Sequence, residues 1–405
     1  PHKFMSIQSG RALRELLVTD GVLEKITHFG VEQVFGKSAT NYTCILLLDR
    51  SGSSSVALEK VGPIEEWRYG KKGGITTHHI ADLSEAPWDF SDQEVRMLFQ
   101  RVRDTCVERL ASVANIHVGL QTSADKIYIF EETRSSDDTV FFHWKDEEWE
   151  IERNIIKPCL YDSPLQPFSQ PKANAWMIFP YEITESQDGK SKARLMQPDE
   201  LQARYPLAWA YLSAQKDELS KRNVSGGPAY ERQWYQYGRS QSLTKFHRPK
   251  IILPVLSREA RYAYDESQTL FTGGGNGPYY MLRAKDDSPV TTLYLLAVLN
   301  HPLSEAMVRT HTSTFRGGYY SHGKQFIEGL PIPTGDEEQH KAIENLSYRI
   351  VAANDDLTRA RTPHNVTRSQ RAIQDLRNEL EALISEMFGL TEAELDILRS
   401  VPVPS

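Results

Sequence analysis

The sequence holds little cysteine and no long apolar run. Its cysteines, Cys44, Cys106 and Cys159, lie far apart and form no C-x-x-C pair, which excludes a disulfide framework and gives no pattern for a zinc site. No apolar run approaches the roughly 18 residues needed to cross a bilayer, and the first residues lack the pattern of a signal peptide. We therefore expect a cytoplasmic protein with no membrane partner and no bound metal.

Positive charge is not in excess either. The 47 lysine and arginine residues are outnumbered by 54 aspartate and glutamate residues, so the net charge is -7. This excludes a uniformly basic coat for nucleic acid, but it does not say how the charge is distributed. The fractions of 40% hydrophobic and 25% charged residues are typical of a soluble globular protein. At 405 residues the chain exceeds what one hydrophobic core usually serves, so two or three packed units are expected.

Local patterns divide the chain into three regions. Residues 1–60 show a helical pattern and then two strand-like segments: an apolar face at Leu13, Leu16 and Leu17, followed by residues 25–29 and 42–48. Glycine and serine are dense at 51–55 and at 70–74, which places a boundary near residue 60. Residues 61–334 predict mixed α/β structure, with helices over 91–114 and 198–222 and strands at 127–130, 176–179 and 250–256.

Residues 335–405 predict a helical tail. Apolar side chains recur there three or four positions apart, at Ile373, Leu376, Leu380, Leu383 and Met387. Gly389 favours the end of that helix, and Thr391 with Glu394 predicts a capping box for a last short one.

The densest mixture of basic and aromatic residues lies between Gly227 and Arg261. Seven cations face only Glu231 and Glu259, and five aromatic residues sit among them: Tyr230, Trp234, Tyr235, Tyr237 and Phe246. Phosphate-pairing groups beside stacking surfaces suit nucleic acid. The same composition also fits an arginine-rich solvated face over a tyrosine-lined core, so both interpretations stay open.

Two glycine-containing segments follow. From His311 to Lys324, short polar donors alternate with glycines; these could bind phosphate oxygens or base edges, or form a polar hairpin loop. The run from Gly273 to Gly277 has no following Lys-Ser or Lys-Thr pair and is interrupted by Pro278. It therefore predicts a tight turn rather than a phosphate-binding loop.

Several segments, taken in order, carry a family resemblance: Gly10 to Leu17, His28 to Gly30, Ala39 to Leu46, Val118 to Ile129, Phe179 to Tyr181, Tyr235 to Leu243, Lys250 to Pro254, Tyr319 to Lys324 and Phe326 to Pro333. Together they resemble adenine-specific, N6-type DNA methyltransferases of the TaqI-type and type IIG restriction-modification family. One departure is Ser123, where glycine is more usual.

The resemblance implies a fold and a division of labour. Residues 1–60 would be the C-terminal part of a methyltransferase catalytic domain, a remnant of a doubly wound sheet. Residues 61–334 would be a mixed α/β target recognition domain, and residues 335–405 its helical tail.

The resemblance also implies a reaction. The intact parent would bind double-stranded DNA, flip one adenine out of the stack and methylate its exocyclic nitrogen from S-adenosylmethionine. The family's glycine-containing cofactor loop and its Asn-Pro-Pro-Tyr type motif do not occur in this sequence. We therefore expect the catalytic and cofactor residues in an upstream catalytic domain of the same polypeptide, and this chain alone to be inactive.

The recognition region supplies the candidate site. We predict that Arg239, Gln241 and Arg316 read base edges, since arginine pairs with guanine and glutamine with adenine in the major groove. The predicted phosphate contacts are Lys245, Arg248, Lys250 and Lys324. Arg232 and Thr314 complete the predicted DNA-binding set.

Two alternatives stay open. The parent could be a fused restriction endonuclease and methyltransferase, which these residues do not distinguish. The chain could instead be a protein-interaction module in which the helix from Ile373 to Met387 pairs with a partner or a second copy. That helix could equally pack on the recognition region.

Overall fold

The computed structural model describes residues 1–35, 41–185, 191–229, 233–274, 277–312, 314–315 and 317–401. They form a mixed α/β structure with a helical C-terminal region, as predicted. The buried apolar side chains described gather in three clusters, one of them within residues 5–88. Among these residues no helix is long and apolar enough to cross a membrane.

A mixed four-stranded sheet forms the first unit. In chain order its elements are α1 (Arg11–Thr19), β1 (Leu23–His28), β2 (Cys44–Leu48), β3 (Ser55–Lys60), α2 (Ile64–Arg68) and β4 (Gly74–His79). The strands lie in the order β2-β1-β3-β4, with β1 antiparallel to β2 and parallel to β3. The predicted helix and both predicted strands are present. Because β4 pairs along β3 and Trp88 joins the same core, this unit continues past the boundary predicted near residue 60.

Helix α1 buries a different side from the one predicted. Leu13 and Leu16 are 41% and 56% exposed, whereas Arg14 and Leu17 are buried. The Arg14 guanidinium donates to the carbonyl oxygens of Phe4 and Ile7. Satisfying these backbone acceptors stabilises the buried arginine, which the apolar pattern alone does not reveal.

The middle of the chain folds into short strands and helices. In chain order these are α3 (Gln93–Thr105), β5 (Glu108–Arg109), α4 (Leu110–Val113), β6 (Ala114–Val118), α5 (Asp125–Tyr128), β7 (Ile129–Phe130), β8 (Arg134–Ser135), β9 (Thr139–Trp144), β10 (Glu147–Glu152), β11 (Ile156–Leu160), β12 (Ala175–Ile178), β13 (Tyr181–Glu185), β14 (Ser191–Leu195), α6 (Pro198–Arg204), α7 (Pro206–Ala214), α8 (Lys216–Ser220), β15 (Asn223–Val224) and β16 (Gly227–Pro228).

Three predictions in this stretch were wrong in detail. The helix predicted over 91–114 ends at Thr105, because Glu108 pairs with a distant strand residue, Ile332. The helix predicted over 198–222 is divided, since Pro206 cannot donate the bond that would continue α6 into α7. In the segment 127–130, the first two residues end the helical turn α5, and only Ile129 and Phe130 form β7.

The rest of the chain completes the sheets and adds the helical tail. Its elements are β17 (Lys250–Pro254), β18 (Leu256–Ser257), β19 (Ala263–Asp265), β20 (Leu270–Phe271), β21 (Gly273–Gly274), β22 (Gly277–Ala284), α9 (Thr292–Leu299), α10 (Pro302–His311), β23 (Thr314–Phe315), β24 (Tyr319–Ser321), α11 (Lys324–Ile327), β25 (Pro331–Ile332), α12 (Glu337–Arg359), α13 (Pro363–Met387) and α14 (Glu392–Ser400).

The sheet β19-β17-β22 separates two hydrophobic clusters, and β6 pairs with β22 at its edge. Alternation along β17 sends Ile251 and Leu253 into the cluster that contains α9, and Ile252 into the cluster on the other face. Every strand residue from Lys250 to Pro254 is buried. A strand covered on both faces gives a rigid support for the loops at its edges.

The helical tail packs on this sheet through α9. Ile373, Leu380 and Ile384 of α13 are buried in the same cluster as α9, so packing onto the recognition region accounts for the apolar face of the helix. The predicted capping box is present, because Glu394 N–H donates to Thr391 Oγ1 and Thr391 N–H donates to the Glu394 carboxylate. Gly389 ends the helix with φ +62°, as its position suggested.

Candidate nucleic-acid interface

Three cations from other segments lie near the edge strand β6. Its residue His117 lies opposite Met281 of β22. Burial lowers the pKa of His117, and three neighbouring cations, Lys245, Arg283 and Lys324, lower it further. We call these three residues the His117 basic cluster. It joins Lys245 from the first basic segment with Lys324 from the glycine-containing one.

Two backbone arrangements bring these cations together. The Ser242 hydroxyl donates to the carbonyl oxygen of Val118 (2.7 Å), which fixes the loop carrying Lys245 against β6. His322 N–H donates to Val255 O (2.9 Å) and Val255 N–H to Pro278 O (2.7 Å), which holds the chain leading to Lys324 beside β22. The cluster therefore depends on tertiary contacts between segments far apart in sequence.

The lysines of the cluster are available to an anionic ligand. Lys245 and Lys324 are exposed, and within the described ranges neither forms an ion pair. Arg283 lies 3.5 Å from Asp286, and the exposed Arg248 lies 3.2 Å from the same carboxylate. Among the ion pairs of the described residues, these two arginines share one carboxylate, and the two lysines have none.

Arg239 and Gln121 meet at the end of the same edge. Arg239 N–H donates to Gln121 O (3.0 Å), and the two residues form an antiparallel bridge. Arg239 and Gln241 are both exposed, as their predicted role requires. The Arg239 guanidinium donates to Gly238 O (3.1 Å) and, in the part of the chain that is described, pairs with no carboxylate. Gln121 was not among the predicted residues, although its segment was among those that carry the family resemblance.

A residue in the left-handed conformation lies two positions after Gln121. Ser123 has φ +56°, a conformation that glycine adopts more readily, which gives a physical reason for glycine being usual at this position. The facing residue is Gly238, where a Cβ would lie 1.9 Å from Ser123 Oγ. A side chain at position 123 is thus accommodated because position 238 has none.

Arg222 also escaped prediction from the sequence. Its guanidinium donates to the carbonyl oxygens of Thr122 (2.5 Å), Trp234 (2.7 Å) and Gln236 (3.0 Å). Half-buried backbone acceptors in a loop need such donors. Arg222 therefore holds the 234–239 loop against the segment that follows β6, and it acts on the interface through positioning.

Lys250 does not fit the phosphate contact predicted for it. Its ammonium lies 2.6 Å from Asp265 Oδ2, and the two side chains are 2% and 0% exposed. Burial lowers the pKa of Lys250, while Asp265 raises it. A phosphate contact would require breaking this buried ion pair, so we assign Lys250 a structural role.

The aromatic residues of the basic segment also need a corrected interpretation. Tyr235, Tyr237 and Phe246 are buried and cannot act as stacking surfaces. The Tyr235 hydroxyl donates to Met196 O (2.7 Å) and the Tyr237 hydroxyl to Ile178 O (2.5 Å). For these three residues the tyrosine-lined core is the correct interpretation.

The glycine-containing segment forms a hairpin of β23 and β24. Gly317 and Gly318 turn the chain with φ of +85° and +77°. Thr314 is buried, so its side chain is not presented to DNA at this surface, contrary to the prediction. The exposed ring of Tyr319 lies 5.0 Å from the Arg258 guanidinium. The predicted contacts Arg232 and Arg316 lie outside the described residues.

A buried histidine anchors the hairpin. The Tyr262 hydroxyl lies 2.7 Å from His322 Nδ1, and His322 Nε2 lies 2.7 Å from Ser257 Oγ. Since the Ser257 hydroxyl donates to Glu259 O, it accepts from Nε2, which leaves Nδ1 to accept from Tyr262. This arrangement uses the neutral imidazole. Burial and the nearby Arg309 lower the pKa of His322 to about 3.

Comparison with known proteins agrees with the family resemblance. Residues 200–332 match the family described as the TaqI-like C-terminal specificity domain. The chain is 24% identical over 415 residues to the type II restriction enzyme and methyltransferase RM.Eco57I of Escherichia coli, covering 98% of this chain and 41% of that protein. It is 21% identical over 315 residues to the type II methyltransferase M.BanIII of Aneurinibacillus aneurinilyticus, covering 77% of this chain and 48% of that protein.

A solved structure shows the same fold. The type IIL restriction-modification enzyme MmeI, determined in complex with DNA, superimposes with a TM-score of 0.55 at 12% identity, covering 96% of this chain and 46% of that one. This chain therefore spans less than half the length of these relatives. The resemblance to the TaqI-type and type IIG family is confirmed in two respects. Residues 200–332 match the specificity domain, and the similar proteins are type II restriction enzymes and methyltransferases.

Proposed function

We propose that this chain, a relative of type II restriction-methyltransferases carrying a TaqI-like specificity domain, selects the DNA site for an N6-adenine methyltransferase that uses S-adenosylmethionine. The observation that carries the proposal is the pair of exposed lysines Lys245 and Lys324, which tertiary contacts hold beside β6 and β22, within the residues that match the specificity domain. Phosphate contacts of this kind supply most of a protein's non-specific affinity for DNA. Arg239, Gln241 and Gln121 lie beside them as candidates for base contacts.

The methyl donor and the chemistry belong, in this proposal, to an upstream catalytic domain of the parent. The turn after β3, Val61-Gly62-Pro63, leads into the five-residue helix α2. It offers neither the glycine-rich turn nor the long helix that bind nucleotides in doubly wound sheets. This turn therefore does not fit the cofactor, and we derive no step of methyl transfer from it.

The outer edge strand of the first sheet, β2, has apolar side chains that another domain could cover. Ile45 and Leu47 of β2 are about half exposed, and among the described strands none pairs with that edge. A strand that is apolar on both faces usually lies inside a sheet. We propose that the catalytic domain covers it. Hydrogen exchange would then show that the β2 amides pointing away from β1 are protected in the intact parent and open to exchange in this chain alone, while those bonded to β1 are protected in both.

A second candidate is that the parent also cleaves DNA. RM.Eco57I is named as both a restriction enzyme and a methyltransferase, and the DNA-selecting role of this chain would be the same in either case. An assay of the full-length parent for methylation and for cleavage of one plasmid would separate the two candidates.

The experiment for the proposed function is a binding selection. This chain is incubated with random-sequence duplex DNA at low and at moderate salt, and the bound fraction is sequenced. Enrichment of one short motif supports site selection by this chain. Salt-sensitive binding without a motif would place specificity elsewhere in the parent, and no binding at low salt would contradict the proposal.

A further inference from the structure

We infer that Gln121 reads an adenine next to a guanine read by Arg239, so that the two side chains together recognise one dinucleotide step. The inference rests on the proposed DNA-selecting function. It adds a residue that neither the sequence nor the comparisons assign, and it adds base identities at two adjacent positions.

The backbone places the two side chains together. Gln121 and Arg239 form an antiparallel bridge in which Arg239 N–H donates to Gln121 O (3.0 Å). Residues paired in this way lie about 5.5 Å apart at Cα and project their side chains to the same side. Neighbouring bases on one DNA strand are about 3.4 Å apart. Two flexible side chains starting from this bridge can therefore reach adjacent bases.

The surroundings of the Gln121 side-chain amide leave its hydrogen-bonding groups available to a DNA base. The residue is half-buried, and its side chain makes no hydrogen bond to any described residue. A Cβ at Gly274 would lie 2.0 Å from Gln121 Nε2. The missing side chain at Gly274 thus provides the space that the amide occupies. Close backbone contact at Gly119, where a Cβ would lie 2.6 Å from Gly273 N, holds the segment in this position.

The chemistry of the two groups sets the expected bases. An amide offers one donor and one acceptor side by side, which match N7 and N6 of adenine in the major groove. A guanidinium offers two donors, which match O6 and N7 of guanine. His117 lies four residues before Gln121, at most about 13 Å along extended chain. The His117 basic cluster can therefore hold phosphates while the bridge reaches the bases.

The test uses the complete chain in a binding selection from random duplex DNA, with variants Gln121→Ala, Gln121→Glu and Arg239→Ala. Gln202→Ala is the matched control, because Gln202 is an exposed glutamine on α6. We expect Gln121→Ala to lose the adenine preference at one position, by about fivefold or more. Arg239→Ala should lose guanine at the neighbouring position. Gln121→Glu should shift the preference from adenine towards cytosine, because a carboxylate accepts from cytosine N4.

Each outcome bears on one of the two proposals. If the unaltered chain selects a motif that Gln121→Ala and Gln121→Glu leave intact, or if the two altered positions are not adjacent, the inference is overturned and the DNA-selecting function stands. If the unaltered chain binds DNA without selecting a motif, the proposed function itself fails. A cytosine shift with Gln121→Glu would support direct reading, because a merely structural role would not exchange one base for another.

Discussion

The ammonium of Lys250 lies 2.6 Å from the carboxylate of Asp265, inside the sheet that supports the interface. We expect Lys250→Met to lower the free energy of unfolding by about 3–5 kcal/mol, because it leaves the Asp265 charge buried without its partner. Urea denaturation measures this loss. The double variant Lys250→Met with Asp265→Leu should recover much of it, since both buried charges are then removed. A stable Lys250→Met single variant would contradict the structural role.

Unlike Lys250, Lys245 and Lys324 should contribute to DNA binding and not to stability. Changing either to glutamine is expected to leave stability nearly unchanged, since both side chains are exposed. Each change should weaken binding to all DNA sequences alike and reduce the slope of log affinity against log salt by about 1. Lys341→Gln, which removes a lysine charge on α12, serves as the charge control. An unchanged salt slope in both variants would remove the two lysines from the interface.

Substitutions at Gly238 and Ser123 should have non-additive effects on the free energy of unfolding. Gly238→Ala is expected to destabilise the chain, because the new Cβ would lie 1.9 Å from Ser123 Oγ. Ser123→Gly removes that atom and also suits φ +56°. The double variant should therefore be more stable than Gly238→Ala alone by about 1 kcal/mol or more. Thermal or urea unfolding of the four proteins provides the cycle, and simple additivity would contradict the contact.

Buried neutral histidines should make the fold sensitive to mild acid. Burial lowers the pKa of both His301 and His322 to about 3, below the ordinary value of 6.5. The unfolded chain therefore binds their protons first, and the stability present above pH 6.5 falls as the pH drops towards the folded values. Each such histidine contributes about 1.4 kcal/mol per pH unit in that window.

Unfolding free energies measured between pH 7.5 and 4.5 test this dependence, because paired carboxylates such as Glu59, with a pKa of about 2, titrate lower. His322→Gln should flatten the slope, at the expense of stability at pH 7.5. His364→Gln, at an exposed position, should leave the slope as it is. A stability that does not change from pH 7.5 to 4.5 would contradict the neutral state of these side chains.

Much of the local structure followed from the sequence. Periodicity predicted α13 because Ile373 and Leu380 recur on one helical face, and the Thr391 capping box formed because its side-chain groups satisfy nearby backbone groups. The family segments indicated a specificity domain, and that prediction is confirmed for residues 200–332. In these cases the information is local, since neighbouring residues determine the backbone hydrogen bonds or carry the motif.

The arrangement of the site was decided by tertiary structure. Composition grouped Lys250 with Lys245, yet Lys250 lies in a strand that is covered on both faces and pairs there with Asp265, while Lys245 lies exposed in the loop tied to β6. The bridge between Gln121 and Arg239 joins segments that the sequence separates. Residue type determined which groups were candidates. Only the folded chain decided which of them face solvent, because burial depends on contacts between segments far apart in sequence.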